Sequence, residues 1–189
     1  MRIIAGDLKG SKLFPPNNKN IRPLKDIARE NIFNLLTHSN KIKFKFSESY
    51  VLDLYAGTGS FGLECLSRRS QYVYFVEKEK EAFDILNKNI EKLKLTNKTR
   101  VLFDDVFKII KNEYFFDIKF DLIFCDPPFK NKKILEIIEL ILNKQLLKRN
   151  GIIIFHRNKN IREKIPNNFK ILDERIYGIS KIIIGKSLT

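Results

Sequence analysis

Apolar positions along the chain fall into short continuous runs separated by longer amphipathic stretches. The runs at 50–55, 72–77, 100–103, 120–125 and 151–156 are bounded by polar or turn-forming residues, and they predict buried strands. Between them, helical spacing predicts helices over 60–69, 79–95, 106–111 and 132–148. The second of these carries Ala82, Phe83, Leu86, Ile90 and Leu93 on one face; the last carries Ile134, Leu135, Ile138, Ile141 and Leu142. Ahead of the first strand, Leu24, Ile27, Ala28, Ile32, Leu35 and Leu36 predict a helix over 24–37, with Phe33 widening its face and Pro23 at its first turn. At the far end, runs at 170–175 and 181–185 predict a hairpin joined through 176–180. Residues 1–22 read as separate. Runs at 2–6 and 11–14 predict a small hairpin through 7–10, and Pro15-Pro16-Asn17-Asn18 then breaks the chain.

Strands alternating with helices imply a parallel sheet covered on both faces, with an antiparallel hairpin at its end. Such sheets bind ligands beyond the carboxyl ends of their strands, at the point where the strand order reverses. Candidate chemistry is therefore sought just after each strand. The length of 189 residues suits one domain with a small extension, and a hydrophobic fraction of 43% supplies a core and excludes wholesale disorder.

The first strand runs into Asp53-Leu54-Tyr55-Ala56-Gly57-Thr58-Gly59-Ser60-Phe61-Gly62, a glycine turn at a helix start that satisfies GxGxxG. Two ligands compete for such a loop. A dinucleotide would set its pyrophosphate on the helix N-terminus. S-adenosylmethionine (SAM) would bring its amino-acid part to the loop and its ammonium toward an acid near the strand end, and Asp53 is such an acid. A pyrophosphate gains nothing from that carboxylate, which favours SAM. Glu77 ends the second strand, where a carboxylate can accept from both ribose hydroxyls of either ligand; it also opens a charged run that reads as a solvated face. After the third strand, Asp105 is assigned to the adenine amino group and the Val106 N–H to a ring nitrogen. Capping of the next helix competes for both Asp104 and Asp105.

The fourth strand ends in Asp126-Pro127-Pro128-Phe129. This matches the pattern of enzymes that methylate an exocyclic base amine: Asp, Asn or Ser, then two prolines, then an aromatic. An exocyclic amine is a poor nucleophile because its lone pair is delocalised into the ring. Acceptors that draw its N–H bonds into place turn the lone pair toward the methyl donor. The Asp126 carboxylate and the Pro127 carbonyl suit that task. Two prolines fix φ and remove two donors, leaving a rigid turn whose carbonyls are free to accept. Phe129 offers a face for a flipped-out base.

The formal net charge of +14 attracts polyanions, RNA or DNA above all, although a base-composition bias in the gene would give the same Lys- and Asn-rich chain. No apolar run reaches the roughly 18 residues of a membrane span, and no signal peptide is evident, so a cytoplasmic protein is expected. Cys65 and Cys125 lack metal-ligand spacing and read as buried free thiols; no metal is expected. His38 and His156 have no partner pattern, and His156 reads as a strand-end residue rather than a catalyst.

Taken together, these motifs resemble the RsmD-type 16S rRNA (guanine-N2) methyltransferases over nearly the whole chain. The resemblance rests on Met1-Arg2-Ile3-Ile4-Ala5-Gly6, Lys12-Leu13, the pattern RPxxDxxRExxFN (Arg22-Pro23, Asp26, Arg29-Glu30, Phe33-Asn34), LDLYAGTGSFGLECLSR over 52–68, Glu77 and FDLIFCDPPF. It implies a Rossmann-like class I SAM-dependent methyltransferase with a mostly parallel seven-stranded sheet, an antiparallel C-terminal hairpin, and an N-terminal hairpin extension (1–22) ahead of the methyltransferase domain (23–189). It also implies a cofactor site of Asp53, Tyr55, Ala56, Gly57, Gly59, Glu77, Asp105 and Val106. Catalysis would fall to Asp126, Pro127, Pro128 and Phe129. The partner would be 16S rRNA in the small subunit or its assembly intermediate, met by a monomer, with RNA contacts among Arg2, Lys9, Lys12, Arg22, Lys25 and Arg29; helix-face solvation or an intramolecular pair (Arg29 with Glu30 or Asp26) competes equally for each. Two positions depart from the family pattern: Leu24 stands where Thr is common, and the tip Asp7-Leu8-Lys9-Gly10 is less basic. Adenine-N6 methylation shares the Asp-Pro-Pro-Phe turn, and the first 34 residues favour guanine. An NAD(P)-dependent oxidoreductase or a non-catalytic RNA-binding module leaves that turn unexplained.

Overall fold

The computed structural model describes residues 1–16, 26–112, 115–128, 131, 133–161 and 164–188. Helix α1 (Asp26–His38) precedes β1 (Tyr50–Leu54), α2 (Ser60–Ser67), β2 (Tyr72–Glu77), α3 (Lys80–Lys92), β3 (Thr99–Phe103), α4 (Val106–Lys111), β4 (Phe120–Cys125), α5 (Ile134–Asn143), β5 (Leu147–Asn158), β6 (Phe169–Tyr177) and β7 (Ser180–Ser187). The seven strands form one sheet in the order β3-β2-β1-β4-β5-β7-β6. The first five are parallel, and β7 enters antiparallel between β5 and β6.

The two-residue period of the strands divides the core. Val51, Val73, Phe75, Leu122, Phe124, Ile152 and Ile154 face α1, α2 and α3. Leu52, Leu54, Val76, Ile123, Cys125, Ile153 and Phe155 face α4 and α5. Both faces are buried, which is why these strands read as near-continuous apolar runs. Phe33 of α1, Phe61 of α2 and Phe124 of β4 stack in sequence, with centroids 4.9 and 3.8 Å apart, and so tie the first helix to the fourth strand.

The chain from β1 passes to β2 on one side, whereas β4 lies on the other, so the strand order reverses between β1 and β4. In register, Leu54 lies beside Val76 and Cys125. The residues following β1, β2 and β4 therefore share one rim.

Several boundaries differ from the sequence expectation. The helix expected over 132–148 stops at Asn143, and Gln145 adopts φ 51°, so that Leu146 and Leu147 join the sheet side as buried residues and β5 begins at Leu147. The terminal hairpin is tighter than expected, turning at Gly178-Ile179 with Gly178 at φ 62°. The expected N-terminal hairpin contains a single bridge, Arg2 to Lys12. Its loop is closed by Gly10 N–H to the Ile3 carbonyl at 3.0 Å, and Ile3 and Leu13 are buried in the core beneath α1 and α2. Glu64 of α2, fully buried, accepts from the N–H groups of Ile4 (2.7 Å) and Ala5 (3.0 Å). Among the described residues no helix is long and apolar enough to cross a membrane.

Candidate functional site

The rim at the switch point is built from three strand ends. After β1 the backbone turns through left-handed conformations at Tyr55 (φ 60°), Gly57 (φ 57°) and Gly59 (φ 83°). Glycine tolerates such angles; tyrosine does so only when its surroundings hold it. Here the Tyr55 hydroxyl accepts from the Asn131 side-chain amide at 3.0 Å, and burial raises the hydroxyl's pKa above its ordinary value. The Ala56 N–H donates to the Val76 carbonyl at 3.0 Å, joining the loop to β2. Each loop glycine meets a different demand. A Cβ at Gly62 would lie 2.3 Å from the Phe75 ring, so that glycine permits close helix–sheet packing. A Cβ at Gly57 would meet nothing within 4 Å, so its face opens onto space a ligand can enter.

The two acids of the cofactor expectation are bound into this loop. Asp53 is 1% exposed and accepts from the Gly62 N–H at 2.9 Å. Burial pushes its carboxyl well above the usual carboxylate range; the Gly62 bond opposes the shift, and the Asp126 and Glu77 charges add to it. Glu77 is 7% exposed, whereas Lys78, Glu79 and Lys80 beyond it are exposed, so Glu77 does not belong to the solvated charge run. Its carboxylate accepts from the N–H groups of Gly57 (2.7 Å), Lys78 (2.8 Å) and Glu79 (2.8 Å).

The raised Asp53 carboxyl fixes the sign of one pH effect. The folded state holds a proton that the unfolded chain releases above about pH 4. Asp53 therefore lowers stability progressively as pH rises from there to its folded value. Asp53→Asn removes this loss. Its melting temperature relative to wild type is expected to climb as pH is raised from 5 to 8, measured by scanning calorimetry; a constant difference across that range would contradict the assignment.

Asp105 takes the capping role that competed for it. It is the N-cap of α4, its Oδ1 accepts from the Phe107 N–H at 2.9 Å, and its Oδ2 lies 3.4 Å from Lys78 Nζ. Asp104 instead accepts from the Asp105 N–H at 2.7 Å. Val106 is buried as the first residue of that helix.

Beyond β4, the Asp126 N–H donates to the Leu54 carbonyl at 3.3 Å, so the turn begins beside the glycine loop. Asp126 Oδ1 lies 2.7 Å from His156 Nδ1 on β5. The two prolines differ. The Pro128 carbonyl is not free, as had been expected of both, because it accepts from the Asn131 N–H at 2.8 Å and closes the turn. Pro127 is buried, and among the described residues nothing donates to its carbonyl. The Asn131 carbonyl accepts from the buried Arg157 guanidinium at 3.0 Å. Phe129 lies outside the described residues.

His156, Asn131 and Arg157 thus support the turn, and the sequence reading missed all three. Asn131 stands only two residues past the motif, which is a weak signal. For His156 and Arg157 no local signal exists; only the pairing of β5 with β4 brings them to the site.

Of the residues assigned to RNA, Arg2, Lys9 and Lys12 are exposed on the N-terminal hairpin, while Arg22 and Lys25 lie outside the described residues. Arg29 is a correction. It is fully buried and donates to the Arg2 carbonyl at 2.8 Å, anchoring the N-terminal segment on α1 instead of presenting its charge to a polyanion. Cys65 and Cys125 are buried free thiols, and burial raises the pKa of each well above its ordinary value. Among the described residues no group of three His, Cys, Asp or Glu side chains could hold a metal ion.

This geometry can be set beside known proteins. The family model described as "Conserved hypothetical protein 95" matches residues 1–186. A Haemophilus influenzae relative named "Ribosomal RNA small subunit methyltransferase D" is 33% identical over 183 residues, covering 95% of this chain and 90% of the relative. The Escherichia coli K12 protein of the same name is 28% identical over 179 residues, covering 94% of this chain and 85% of that protein. The solved structure of yhhF from E. coli, described as a candidate methyltransferase, superposes with a TM-score of 0.84 at 26% identity, covering 99% of this chain and 97% of that one. The seven-stranded mixed sheet is that of the class I methyltransferases, and the chain belongs to the conserved hypothetical protein 95 family, the RsmD-type methyltransferases.

Proposed function

We propose that this protein transfers a methyl group from SAM to the exocyclic N2 amine of a guanine in 16S rRNA, within the small ribosomal subunit or its assembly intermediate. The observation that carries the reading is the meeting of the Asp126-Pro127 turn with the glycine loop on one rim, the Asp126 N–H bonded to the Leu54 carbonyl. An acceptor for an amine thus stands next to a cradle for a methyl donor.

The residues on that rim fit SAM. Glu77, bonded to the Gly57 N–H, and Asp126, bonded through its N–H to the Leu54 carbonyl, set two carboxylates on the rim although the chain carries +14, with Asp53 buried behind them. A negative crevice suits a ligand bearing an ammonium and a sulfonium, and it opposes the pyrophosphate of a dinucleotide. Tyr55, Ala56, Gly57 and Gly59 would hold the amino-acid part, with Asp53 behind them toward the ammonium. Glu77 would take the ribose hydroxyls, and Asp105 and Val106 the adenine edge. When bound, SAM supplies an electrophilic methyl group on a sulfonium.

The chain's own part is positioning and charge. Asp126 and the Pro127 carbonyl accept the two amine N–H bonds, which turns the nitrogen lone pair out of conjugation and toward the methyl. A nitrogen that accepted the methyl, with SAM leaving as its thioether, would be cationic. The nearby Asp126 carboxylate stabilises that charge and takes the proton the nitrogen sheds. Phe129 follows directly in the chain as the stacking face for the base. The exposed Arg2, Lys9 and Lys12 supply phosphate contacts. The names of the relatives point to small-subunit RNA, and resemblance across the first 34 residues points to guanine.

The test uses tritiated SAM with small subunits from cells lacking this enzyme, followed by nucleoside analysis. Label in N2-methylguanosine is expected. Label in N6-methyladenosine would remove guanine and keep the site chemistry; an absence of label in RNA would overturn the reading.

A further inference from the structure

Asp126 and the residue that grips it come from different strands. In register Cys125 lies beside Phe155, so the next residue on each strand, Asp126 and His156, meet where β4 gives way to the turn. His156 is held from the other side by its pairing with Ile182 of β7, and only 8% of its side chain is exposed, against 19% for Asp126. The imidazole is therefore set in the sheet, and the carboxylate is the half of the pair that reaches the rim. The next residue, Arg157, points to the opposite face of β5 and bonds the Asn131 carbonyl beyond the turn. Two successive residues of one strand thus hold the entry and the exit of the Asp126–Asn131 segment.

We propose that His156 is a positioning residue for methyl transfer: donating from Nδ1 to Asp126 Oδ1, it fixes the carboxylate rotamer and reserves Oδ2 for the substrate amine. The inference rests on the amine-methylation reading above. An aspartate alone at a strand end has two staggered χ1 alternatives to its working one and a freely turning carboxylate. The 2.7 Å contact removes that freedom. It also divides the two oxygens. Oδ1 is engaged, and among the described residues no donor meets Oδ2. The Asp126 backbone is fixed from both sides, by the Leu54 carbonyl before it and the Pro127 ring after it, so the side-chain torsions are the remaining freedom and His156 controls them.

A purely structural pair would stabilise the fold without acting on turnover. Three variants separate the roles in the tritiated-SAM assay on small subunits lacking the modification. His156→Leu removes the donor. His156→Asn keeps an N–H donor near the Nδ1 position. His156→Gln places its donor nearer Nε2, away from Asp126. The Leu and Gln variants are expected to lose about 30-fold in kcat, as a misplaced reacting group does, with KM for the subunit and the calorimetric Kd for SAM unchanged. The Asn variant is expected to stay within about 3-fold of wild type in kcat, since it preserves the hydrogen bond. Wild-type kcat in folded His156→Leu, a rise in KM in place of the loss of kcat, or equal losses in the Asn and Gln variants would each overturn the proposal. Should His156→Leu fail to fold, the Asn and Gln pair decides alone. Asp126→Ala run in parallel separates the two readings. Turnover retained there overturns the role of Asp126 itself; turnover lost there but kept in His156→Leu and His156→Gln overturns only the role of His156.

Discussion

Asp126→Ala is expected to lower kcat for methyl transfer by at least ~100-fold while leaving SAM binding measurable and close to wild type, because removing one preorganised electrostatic partner at a reacting centre costs that much. The side chain does little else that the fold requires. It lies past the last residue of β4, and its backbone bond to Leu54 does not depend on it. Its one side-chain partner in the described structure is His156. Loss of turnover with a cooperative melt near the wild-type temperature is therefore the expected signature. Near-normal turnover would show that the Pro127 carbonyl alone orients the amine. Asp126→Asn sharpens the point. Asparagine keeps the shape and one acceptor oxygen, and the imidazole can change tautomer so that Nδ1 accepts from the amide NH2, leaving that oxygen for the substrate. This variant should fall between wild type and Ala, about 10-fold down, having lost the charge that the cationic nitrogen needs.

The contrast between Asp126 and His156 marks where the sequence stops being legible. Asp126 stands in a local motif whose residue types follow from the chemistry, and the alternation of apolar runs places that motif at a strand end. The parallel sheet, its two buried faces and the antiparallel C-terminal pair were all readable because strands buried on both sides must be apolar throughout. His156 has no local signature. Its meaning depends on β5 lying beside β4, a pairing between segments 30 residues apart. Arg29 failed for a related reason. Composition marks it as a surface cation, and only the fold reveals that α1 turns it inward to the Arg2 carbonyl. The α5–β5 boundary was misplaced because Leu146 and Leu147 satisfy helical periodicity and sheet burial equally well; the left-handed Gln145 decides between them. At Asp105, the sequence offered two acids for one cap, and a single bond to the Phe107 N–H resolves which of them serves it.

Glu77 is the position where loop and ligand depend on the same atoms, and Glu77→Ala is expected to weaken SAM binding at least ~30-fold, the equivalent of about 2 kcal/mol. Its carboxylate already gathers three backbone N–H groups, from Gly57 in the glycine loop and from Lys78 and Glu79 just ahead of α3. An ionised carboxylate offers about four lone-pair sites, so these bonds fix its orientation and leave capacity for a hydroxyl donor. Truncation removes the proposed ribose acceptor and releases the Gly57 N–H together. Because Lys78 and Glu79 are exposed, water can replace the acceptor for their N–H groups. The stability loss should then stay near 1–2 kcal/mol, a fall in melting temperature of about 2–8 °C. Glu77→Gln is the sharper variant. Its amide nitrogen would face backbone N–H groups wherever it is turned, since donors meet both carboxylate oxygens. It should therefore resemble Ala more than wild type in a calorimetric titration with SAM. A Gln variant that kept SAM affinity within about 3-fold would mean that charge and double acceptance at this strand end are dispensable, and the ribose assignment would move elsewhere on the rim.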